Sequence, residues 1–248
     1  MTITRLEKLV ASLRTSGLDA VALNPGPTLT YLTGAHFHLM ERPIVLLVVR
    51  EADYPDASDV LGSLRLRKDK EEVDTLRKAV RVAQAALEGT LPHIKIGITE
   101  KELAAELVTQ LLKHWSEPEL PFSPIVSGGP NSASAHASTT NRKLQSGDLL
   151  VIDYGATVDG YVSDITRTFA VGDVDAEYEK IHKIVQQANA AGRAAGKPGV
   201  PCAEVDKAAR VVIESAGYGE YFWHRTGHGI GMEPHEEPYI RGDDSLKN

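Results

Sequence analysis

Two aspartates in a predicted β-hairpin are the first residues in this sequence that point to chemistry. The stretch GDLLVIDYGATVDGYVSDITRTFAVG contains two apolar runs joined by Asp159-Gly160, which is typical of a two-residue hairpin turn. Such a turn places Thr166 opposite Asp153, so that Asp153 and Asp164 share one face. Two carboxylates that converge among apolar residues repel each other and lose hydration unless a cation holds them. The alternative is a solvated hairpin face on which the acids are incidental.

Histidines supply a second type of candidate metal ligand. In HRTGHGIGMEPHEEP, His228 lies between Gly227 and Gly229, whose lack of side chains lets other groups approach closely. Carboxylates combined with an imidazole suit Mn, Co, Fe or Zn better than a thiolate site would. A lone histidine is usually structural, but here several histidines accompany the two aspartates, namely His136, His224, His228 and His235. This combination favours a metal centre.

The elements that position these residues form two groups along the chain. Residues 3–16 are predicted to form a helix, and LDAVALN and PIVLLVV are predicted to be strands of a small α/β unit. The chain divides near residues 52–68, where the stretch EADYPDASDVLGS contains turn residues without periodicity and indicates a linker. A long amphipathic helix is predicted from Glu71, and a capping box at Thr99 and Glu102 begins the next helix. The predicted apolar stripes are Val73, Leu76, Val80, Ala83 and Leu87 on the first of these helices, and Leu103, Leu107 and Leu111 on the second.

A short internal repeat indicates a duplicated domain. The segment KIGITEKELAAEL, which begins at Lys95, resembles KPGVPCAEVDKAA, which begins at Lys197, at a constant separation of 102 residues. Each copy follows a predicted long helix, and this common order indicates an internally duplicated α+β domain. A chance match of short segments is the alternative. The first copy continues into the hairpin at residues 148–170, so a second hairpin is expected near position 250 or later.

Composition restricts the partners and the compartment. The net charge of -7 and the pI near 5.7 argue against nucleic acid and anionic membranes as partners. The N-terminal sequence does not have the pattern of a signal peptide, and no apolar run approaches the roughly 20 residues of a membrane-spanning helix. The single cysteine, Cys202, excludes an internal disulfide and favours a cytoplasmic protein. We interpret Cys202 as a side chain at a helix start rather than as a nucleophile.

Three segments resemble one family of metallopeptidases. FSPIVSGGPNSASAHA, the hairpin segment and HRTGHGIGMEPHEEPYI are similar, in this order, to prolidase, aminopeptidase P and methionine aminopeptidase. The resemblance implies an α+β pita-bread (creatinase/aminopeptidase) fold with internal duplication over residues 63–248. It also implies that residues 1–62 are a partial creatinase-type N-terminal domain, a short α/β unit that favours the proline-specific branch.

The resemblance further implies a dinuclear metal site. Asp153 and Asp164 match the two aspartate ligands of the family, with Asp164 bridging the metals, and His228 matches its histidine ligand. Two divalent ions (Mn, Co, Zn or Fe) would hold a bridging hydroxide that attacks the carbonyl before proline, while a metal polarises that carbonyl. The implied substrates are proline-containing dipeptides or short peptides, cleaved by an Xaa-Pro dipeptidase or aminopeptidase. We also expect a homodimer.

Three further histidines match residues of the family's substrate pocket. His136 and His235 match histidines that assist proton transfer and stabilise the tetrahedral intermediate, and His224 matches a further pocket histidine found in some members. The resemblance therefore implies that these side chains act on the substrate without being primary metal ligands.

The sequence departs from the family in its ligand set. The family also uses two glutamate ligands on strands that would follow GDDSLKN, so we expect an incomplete domain, weak metal affinity and impaired activity. Glu233, Glu236 and Glu237 are not assigned as replacements, because the pattern places them beside the pocket. Two alternatives stay open: a non-catalytic binding homologue on the same fold, and a metal-free creatinase-like hydrolase, which would not need Asp153 and Asp164.

Overall fold

The computed structural model of the chain describes residues 5–17, 20–23, 46–49 and 65–242. The chain divides into two compact units, Met1–Ala57 and Ser58–Asn248. In the first unit, helix α1 spans Arg5–Ser16, and strands β1 (Ala20–Leu23) and β2 (Leu46–Val49) pair antiparallel. The helix and the two strands predicted in this unit are therefore confirmed. The predicted linker EADYPDASDVLGS lies outside the described residues.

The second unit contains two pairs of long helices and several short strands. Its helices are α2 (Lys70–Thr90), α3 (Glu100–Lys113), α4 (Ala176–Ala195) and α5 (Cys202–Ser215). Its strands are β3 (Ile125–Gly128), β4 (Asp148–Tyr154), β5 (Thr157–Val158), β6 (Tyr161–Val162), β7 (Ile165–Val171), β8 (Gly227–Gly229) and β9 (Glu236–Ile240). Short 3-10 turns span Leu91–His93, Gly129–Ala133 and Gly219–Tyr221.

Side chains at the helix starts explain where α2 and α3 begin. The backbone N–H of Glu102 donates to Thr99 Oγ1 at 3.1 Å, and the Glu102 carboxylate accepts from the Thr99 N–H at 2.8 Å. This reciprocal pair satisfies backbone donors that have no partner within the helix, and it confirms the predicted capping box. Asp69 and Glu72 form the same arrangement before α2, which begins one residue earlier than predicted.

The buried stripe of α2 differs from the predicted one. Its buried residues are small: Ala79, Ala83, Ala86 and Thr90. Val80, which was predicted to face the core, is 37% exposed. The hairpin lies close enough to hydrogen-bond the helix backbone, because Tyr154 Oη donates to the Ala83 carbonyl and Ser163 Oγ donates to the Ala79 carbonyl, at 3.0 and 3.2 Å. Only small side chains leave room for this approach. The close contact with the hairpin, rather than the apolar periodicity of α2, therefore determines which of its residues are buried.

The main core lies between α2, α3 and a three-stranded antiparallel sheet with the strand order β3-β4-β7. Alternate residues of β4 are buried, as expected for a strand with one covered face. The predicted stripe of α3 is confirmed. The buried core includes Leu103, Leu107, Leu111, Val126, Leu150, Ile152, Tyr154 and Val171.

The second helix pair begins with the single cysteine. Cys202 is buried at the first residue of α5, in agreement with its interpretation as a packing side chain. α4 and α5 enclose a smaller core, formed by Ala188, Ala209 and Ile213. In the described part of the chain, none of the helices combines the length and apolar character that a membrane crossing requires.

Candidate metal centre

The hairpin that carries the two aspartates has the predicted register. Val158 pairs with Tyr161 across a two-residue turn, in which Asp159 has φ +50° and Gly160 has φ +74°. Positive φ at both turn positions is the geometry that an Asp-Gly pair favours. Farther from the turn, Asp153 pairs with Thr166, as predicted.

The ladder is interrupted between the turn and the long strands, and this interruption shapes the site. Asp164 lies in the break between β6 and β7, whereas Asp153 is the second-to-last residue of β4. A Cβ atom built on Gly155 would clash with the backbone carbonyl of Ser163. Because Gly155 has no side chain, its backbone can approach the backbone of Ser163, next to Asp164, closely.

The carboxylates of Asp153 and Asp164 lie side by side. Thr166 Oγ1 donates to Asp153 Oδ1 at 2.8 Å. Burial raises the pKa of Asp153 above its usual value, and the charge of Asp164 and a hydrogen bond with it raise it further. Loss of hydration and like charge both disfavour a second ionised carboxylate here. A cation between the two groups would remove this penalty.

His228 adds an imidazole to the aspartate pair. Its Nε2 lies 3.4 Å from Asp164 Oδ2, and its Nδ1 lies 2.9 Å from the Gly229 carbonyl oxygen. The hydrogen bond with Asp164 raises the pKa of His228. Two donors that are each about 2.1 Å from one ion in a tetrahedral arrangement lie about 3.4 Å apart. The spacing between His228 Nε2 and Asp164 Oδ2 therefore suits two ligands of a single ion.

A backbone hydrogen bond joins the histidine segment to the hairpin. The Val162 N–H donates to the Gly231 carbonyl at 2.9 Å, which ties the loop after β8 to the strand that precedes Asp164. β8 and β9 pair antiparallel, with His228 opposite Tyr239 and a register shift after His228. The site is thus assembled from two segments that are far apart in the sequence.

The predicted pocket histidines belong to two ring pairs. The His235 ring centre is 4.4 Å from that of His228, and His136 is 5.8 Å from His224. Burial lowers the pKa of His235, and the nearby charges of His228 and Arg225 lower it further. His136 makes a further, smaller contribution to this lowering. His228 and His235 thus form one ring pair and His136 and His224 another, and the roles of these histidines stay predictions.

Trp223 and Thr166 are neighbours of the site whose roles the sequence did not reveal. The Trp223 ring centre lies 5.8 Å from that of His224, and Trp223 is 74% exposed. Thr166 holds one oxygen of Asp153. The predicted hairpin register already placed Thr166 opposite Asp153, and this pairing was the signal that could have identified it.

Glu236 is buried and fully engaged in other contacts. Its carboxylate contacts Arg65, accepts from Lys68 Nζ at 2.8 Å and accepts from the backbone N–H of Met232 at 2.9 Å. The Glu233 carboxylate binds the same arginine at 2.9 Å. Both side chains are occupied away from the aspartates, which is consistent with leaving them unassigned as ligands.

The donor types at this site fit divalent ions, but the donors do not form a ready-made cluster. Asp153, Asp164 and His228 offer carboxylate oxygens and one imidazole nitrogen, the donor set that Mn, Co, Fe and Zn accept. Within the described ranges, no three His, Cys, Asp or Glu side chains are grouped closely enough to hold a metal ion as they stand. The assignment of these three residues as ligands therefore stays a prediction.

Comparisons with known proteins identify the family. Residues 74–248 match metallopeptidase family M24. The chain is 38% identical over 188 residues to the Xaa-Pro dipeptidase of Pyrococcus furiosus, covering 76% of this chain and 54% of that protein. It is 41% identical over 192 residues to the probable dipeptidase PepE of Mycobacterium tuberculosis, covering 77% and 50%. The chain thus spans about half the length of the curated relatives it matches.

Solved structures share the fold. A dipeptidase from Pyrococcus horikoshii matches with a TM-score of 0.78 and 33% identity, covering 99% of this chain and 87% of that one. An X-Pro aminopeptidase from Thermotoga maritima matches with a TM-score of 0.74 and 36% identity, covering 76% and 53%. These matches confirm the predicted α+β pita-bread fold. The chain belongs to metallopeptidase family M24.

Proposed function

We propose that this chain is a metal-dependent peptidase that hydrolyses Xaa-Pro bonds with two divalent ions. The observation that carries the proposal is the position of Asp164, which is next to a second carboxylate and 3.4 Å from the Nε2 of His228. Membership of a metallopeptidase family supports it, as does the similarity to proteins named Xaa-Pro dipeptidase and X-Pro aminopeptidase. Mn, Co, Zn and Fe are the ions that suit the donor set.

The proposed ligands are Asp153, Asp164 and His228. When bound, divalent ions would activate a water molecule and polarise the carbonyl of the scissile bond. Thr166 orients Asp153 through Oδ1, which leaves Oδ2 for an ion. The Gly229 carbonyl accepts a hydrogen bond from Nδ1 of His228 when that nitrogen is protonated, and so presents Nε2 towards Asp164. These partners fix the orientation of the donors before any ion arrives.

His235 is the proposed proton carrier of the site. Burial and nearby positive charge lower its pKa, so the ring is neutral near pH 7 and can accept a proton at one nitrogen. Its ring lies against His228, beside the proposed ligands. His136 and His224 would line the adjoining part of the pocket, where a bound peptide passes.

The first experiment compares two Asp→Asn substitutions in the same hairpin. Asp164→Asn should lower hydrolysis of an Xaa-Pro dipeptide, measured with added Mn²⁺ or Co²⁺, by more than about 100-fold. Removing a residue that hydrogen-bonds to a metal ligand typically lowers metal affinity or activity by about 10–100-fold. Removing a ligand itself should lower activity further. Asp159→Asn is the matched control and should retain activity, because the Asp159 side chain is exposed in the turn. Near-normal turnover by Asp164→Asn would refute the assignment.

The second experiment separates the proton carrier from the ligands. His235→Ala should lower turnover by about 10²–10⁴-fold, the usual contribution of a positioned acid or base, with little change in bound metal measured by elemental analysis. If His235→Ala instead removes the metal, then His235 is a ligand and its proposed role is wrong. The weak metal affinity and impaired activity expected of this chain stay predictions, so the assay uses saturating Mn²⁺. Under that condition, binding of the dipeptide without any cleavage would favour the non-catalytic alternative. Hydrolysis that persists with Mn²⁺ and Co²⁺ removed by a chelator would favour the creatinase-like one.

Substrate type, location and assembly complete the proposal. Cleavage of an Xaa-Pro dipeptide and an Xaa-Pro tripeptide would distinguish a dipeptidase from an aminopeptidase. The cytoplasmic location, the homodimer and the creatinase-type character of residues 1–62 stay predictions.

A further inference from the structure

The buried carboxylate of Glu236 accepts hydrogen bonds from two different parts of the chain. On one side, Arg65 Nη2 donates to its Oε1, and Lys68 Nζ donates to its Oε2 at 2.8 Å. On the other side, the backbone N–H groups of Met232 and Glu233 donate to Oε1 at 2.9 and 3.2 Å. The Glu236 side chain is 6% exposed, so these donors replace the water that an ionised carboxylate would otherwise bind.

The two basic residues connect this carboxylate to the start of α2. Arg65 and Lys68 precede Asp69, which caps that helix. Although burial would raise it, hydrogen bonds from Lys68 and Arg65 hold the pKa of Glu236 below its usual 4.5. The carboxylate is therefore ionised near pH 7 and stays paired with both cations.

The two backbone donors belong to the loop that carries His235. We call residues 230–235, which join β8 to β9, the histidine loop. A Cβ atom built on Gly231 would come too close to the Glu236 carboxylate, so the loop backbone packs directly against that group. The Gly231 carbonyl also accepts from the Val162 N–H, in the hairpin strand that precedes Asp164. The histidine loop is thus held between the hairpin and Glu236.

His235 directly precedes Glu236 in the chain, and the position of its ring depends on this loop. The ring centre lies 4.4 Å from that of His228. No described residue forms a hydrogen bond with the His235 ring, so the loop backbone and the contact with His228 determine where it lies. Misplacement of a reacting group by about 1 Å can lower a rate by about 100-fold. A proton carrier without a hydrogen-bonding partner of its own therefore needs a fixed loop.

We propose that Glu236 is a positioning residue which, together with Arg65 and Lys68, holds the histidine loop and keeps the His235 ring beside His228. This inference rests on the proposed peptidase function, because it assigns what positions the proton carrier of that site. Glu236 itself takes no part in proton transfer or in metal binding, since donors already occupy both of its oxygens.

The first test compares two glutamates that bind the same arginine. Glu236→Ala should lower kcat for Ala-Pro, measured at saturating Mn²⁺, by about 10- to 100-fold with little change in KM, because only the proton carrier is displaced. Glu236→Gln keeps one acceptor oxygen for the loop and should lose less. Glu233→Ala is the matched control. The Glu233 side chain also binds Arg65 but is 63% exposed, and its removal should leave kcat unchanged.

The second test asks whether Glu236 acts through His235. In a chain that already carries His235→Ala, the addition of Glu236→Ala should lower kcat no further, because no imidazole is left to position. A merely structural role predicts the same fold-loss in both backgrounds, and this result would overturn the proposal. If Glu236→Ala does not fold, Glu236→Gln takes its place in both backgrounds.

A third measurement does not depend on catalysis. The amide hydrogens of Met232 and Glu233 should exchange about 10- to 100-fold faster in Glu236→Ala than in the unmodified chain, the loss expected for a hydrogen bond to a charged group. The Met232 amide should stay slow in Glu233→Ala, which keeps the Glu236 carboxylate. The ring signals of His235 in the NMR spectrum should shift in Glu236→Ala, because the ring leaves its place beside His228.

The outcomes separate this inference from the proposed function. Cleavage by the unmodified chain, with an unchanged kcat in Glu236→Ala, would overturn the role of Glu236 and leave the peptidase proposal standing. If the unmodified chain does not cleave Ala-Pro, the peptidase proposal fails and the third measurement decides the role of Glu236. Faster exchange together with shifted His235 signals would then uphold this role, and an unchanged result in either would overturn it.

Discussion

Helices α3 and α5 follow the same backbone path at a separation of 102 residues. Each spans 14 residues, one beginning at Glu100 and the other at Cys202. Each is preceded by a glycine with positive φ, Gly97 at +94° and Gly199 at +83°. Each is also followed by a residue with positive φ, Trp115 at +74° and Gly217 at +86°. The predicted duplication is therefore present in the backbone, including the conformations at the helix ends.

The two copies differ in what covers them. The α3 residues Leu103, Leu107 and Leu111 are completely buried beneath the β3-β4-β7 sheet. The equivalent α5 residues are Val205, Ala209 and Ile213, which are smaller or retain some exposure, and the described core around them is small. The same helix geometry thus packs against a large hydrophobic core in the first copy and against a smaller one in the second.

The two copies also differ in chemistry. Val126 of β3 is a buried core residue, and the residue 102 positions later is His228 of β8, in the candidate metal centre. The first copy supplies both aspartates and His136, and the second supplies His224, His228 and His235. A duplicated backbone can therefore keep its stabilising contacts in one copy and place reactive side chains at equivalent positions of the other.

The largest expected effect on stability tests the difference between the cores. Leu111→Ala should lower the free energy of unfolding by about 2–5 kcal/mol, because it leaves a cavity in a tightly packed core. Ile213→Ala, at the equivalent position of α5, should cost less, because its surroundings are less completely packed. Urea unfolding of both variants measures the difference. Equal losses would show that the two helices are covered equally well.

A smaller effect is expected from the buried carboxylates that organise a loop in each copy. Glu100 accepts from the backbone N–H groups of Gly128 and Thr140, each at 2.8 Å, and Asp206 accepts from Arg210 and Thr226. Glu100→Gln should cost about 1–3 kcal/mol, because an amide nitrogen would then face backbone donors. Asp206→Asn should cost less, because the partly exposed Arg210 can turn to water. An equal or larger loss for Asp206→Asn would contradict this ranking.

The pH dependence of stability follows from the same two groups. Hydrogen bonds from Gly128, Thr140 and their neighbours hold the pKa of Glu100 below its usual 4.5, despite its burial. Hydrogen bonds from Arg210 and Thr226 hold that of Asp206 below 3.8. A folded-state pKa below the unfolded value gives stability that is present above the unfolded value and is lost as pH falls towards the folded value. Unfolding measured from pH 6 to pH 3 should show this loss, and Glu100→Gln should reduce its size. An unchanged acid profile in Glu100→Gln would refute the role of Glu100.

The smallest expected mutational effect tests the helix starts. Thr99→Ala should cost about 1 kcal/mol, because it removes the side-chain cap of α3. Thr99→Ser keeps the hydroxyl and should cost much less. The equivalent residue before α5 is Pro201, which makes no side-chain cap hydrogen bond, so Pro201→Ala should change stability by less than about 1 kcal/mol. Thermal unfolding of the three variants checks the order, and a larger loss for Pro201→Ala would reverse the comparison.

Local features of this chain could be predicted from the sequence, because their causes lie within a few residues. The Asp159-Gly160 turn determines the hairpin register as far as Asp153 and Thr166. The Thr99 cap determines where α3 begins. The family resemblance, carried by three motifs, predicted the fold. It also named the candidate site residues, of which the structure shows Asp164 beside His228 and His228 against His235.

Contacts between distant segments depended on the tertiary structure. The alanine stripe of α2 follows from the close approach of the hairpin, which no periodicity in the helix records. Glu236 is bound by Arg65 and Lys68, which are 171 and 168 residues away in the sequence. Arg225 looks like any charged residue in the sequence, and only the folded chain shows that its Nε is buried without a hydrogen-bond partner among the described residues. Hydrogen bonds of turns and caps form between near neighbours in the sequence, whereas the burial and pairing of a side chain depend on which distant segments pack against it.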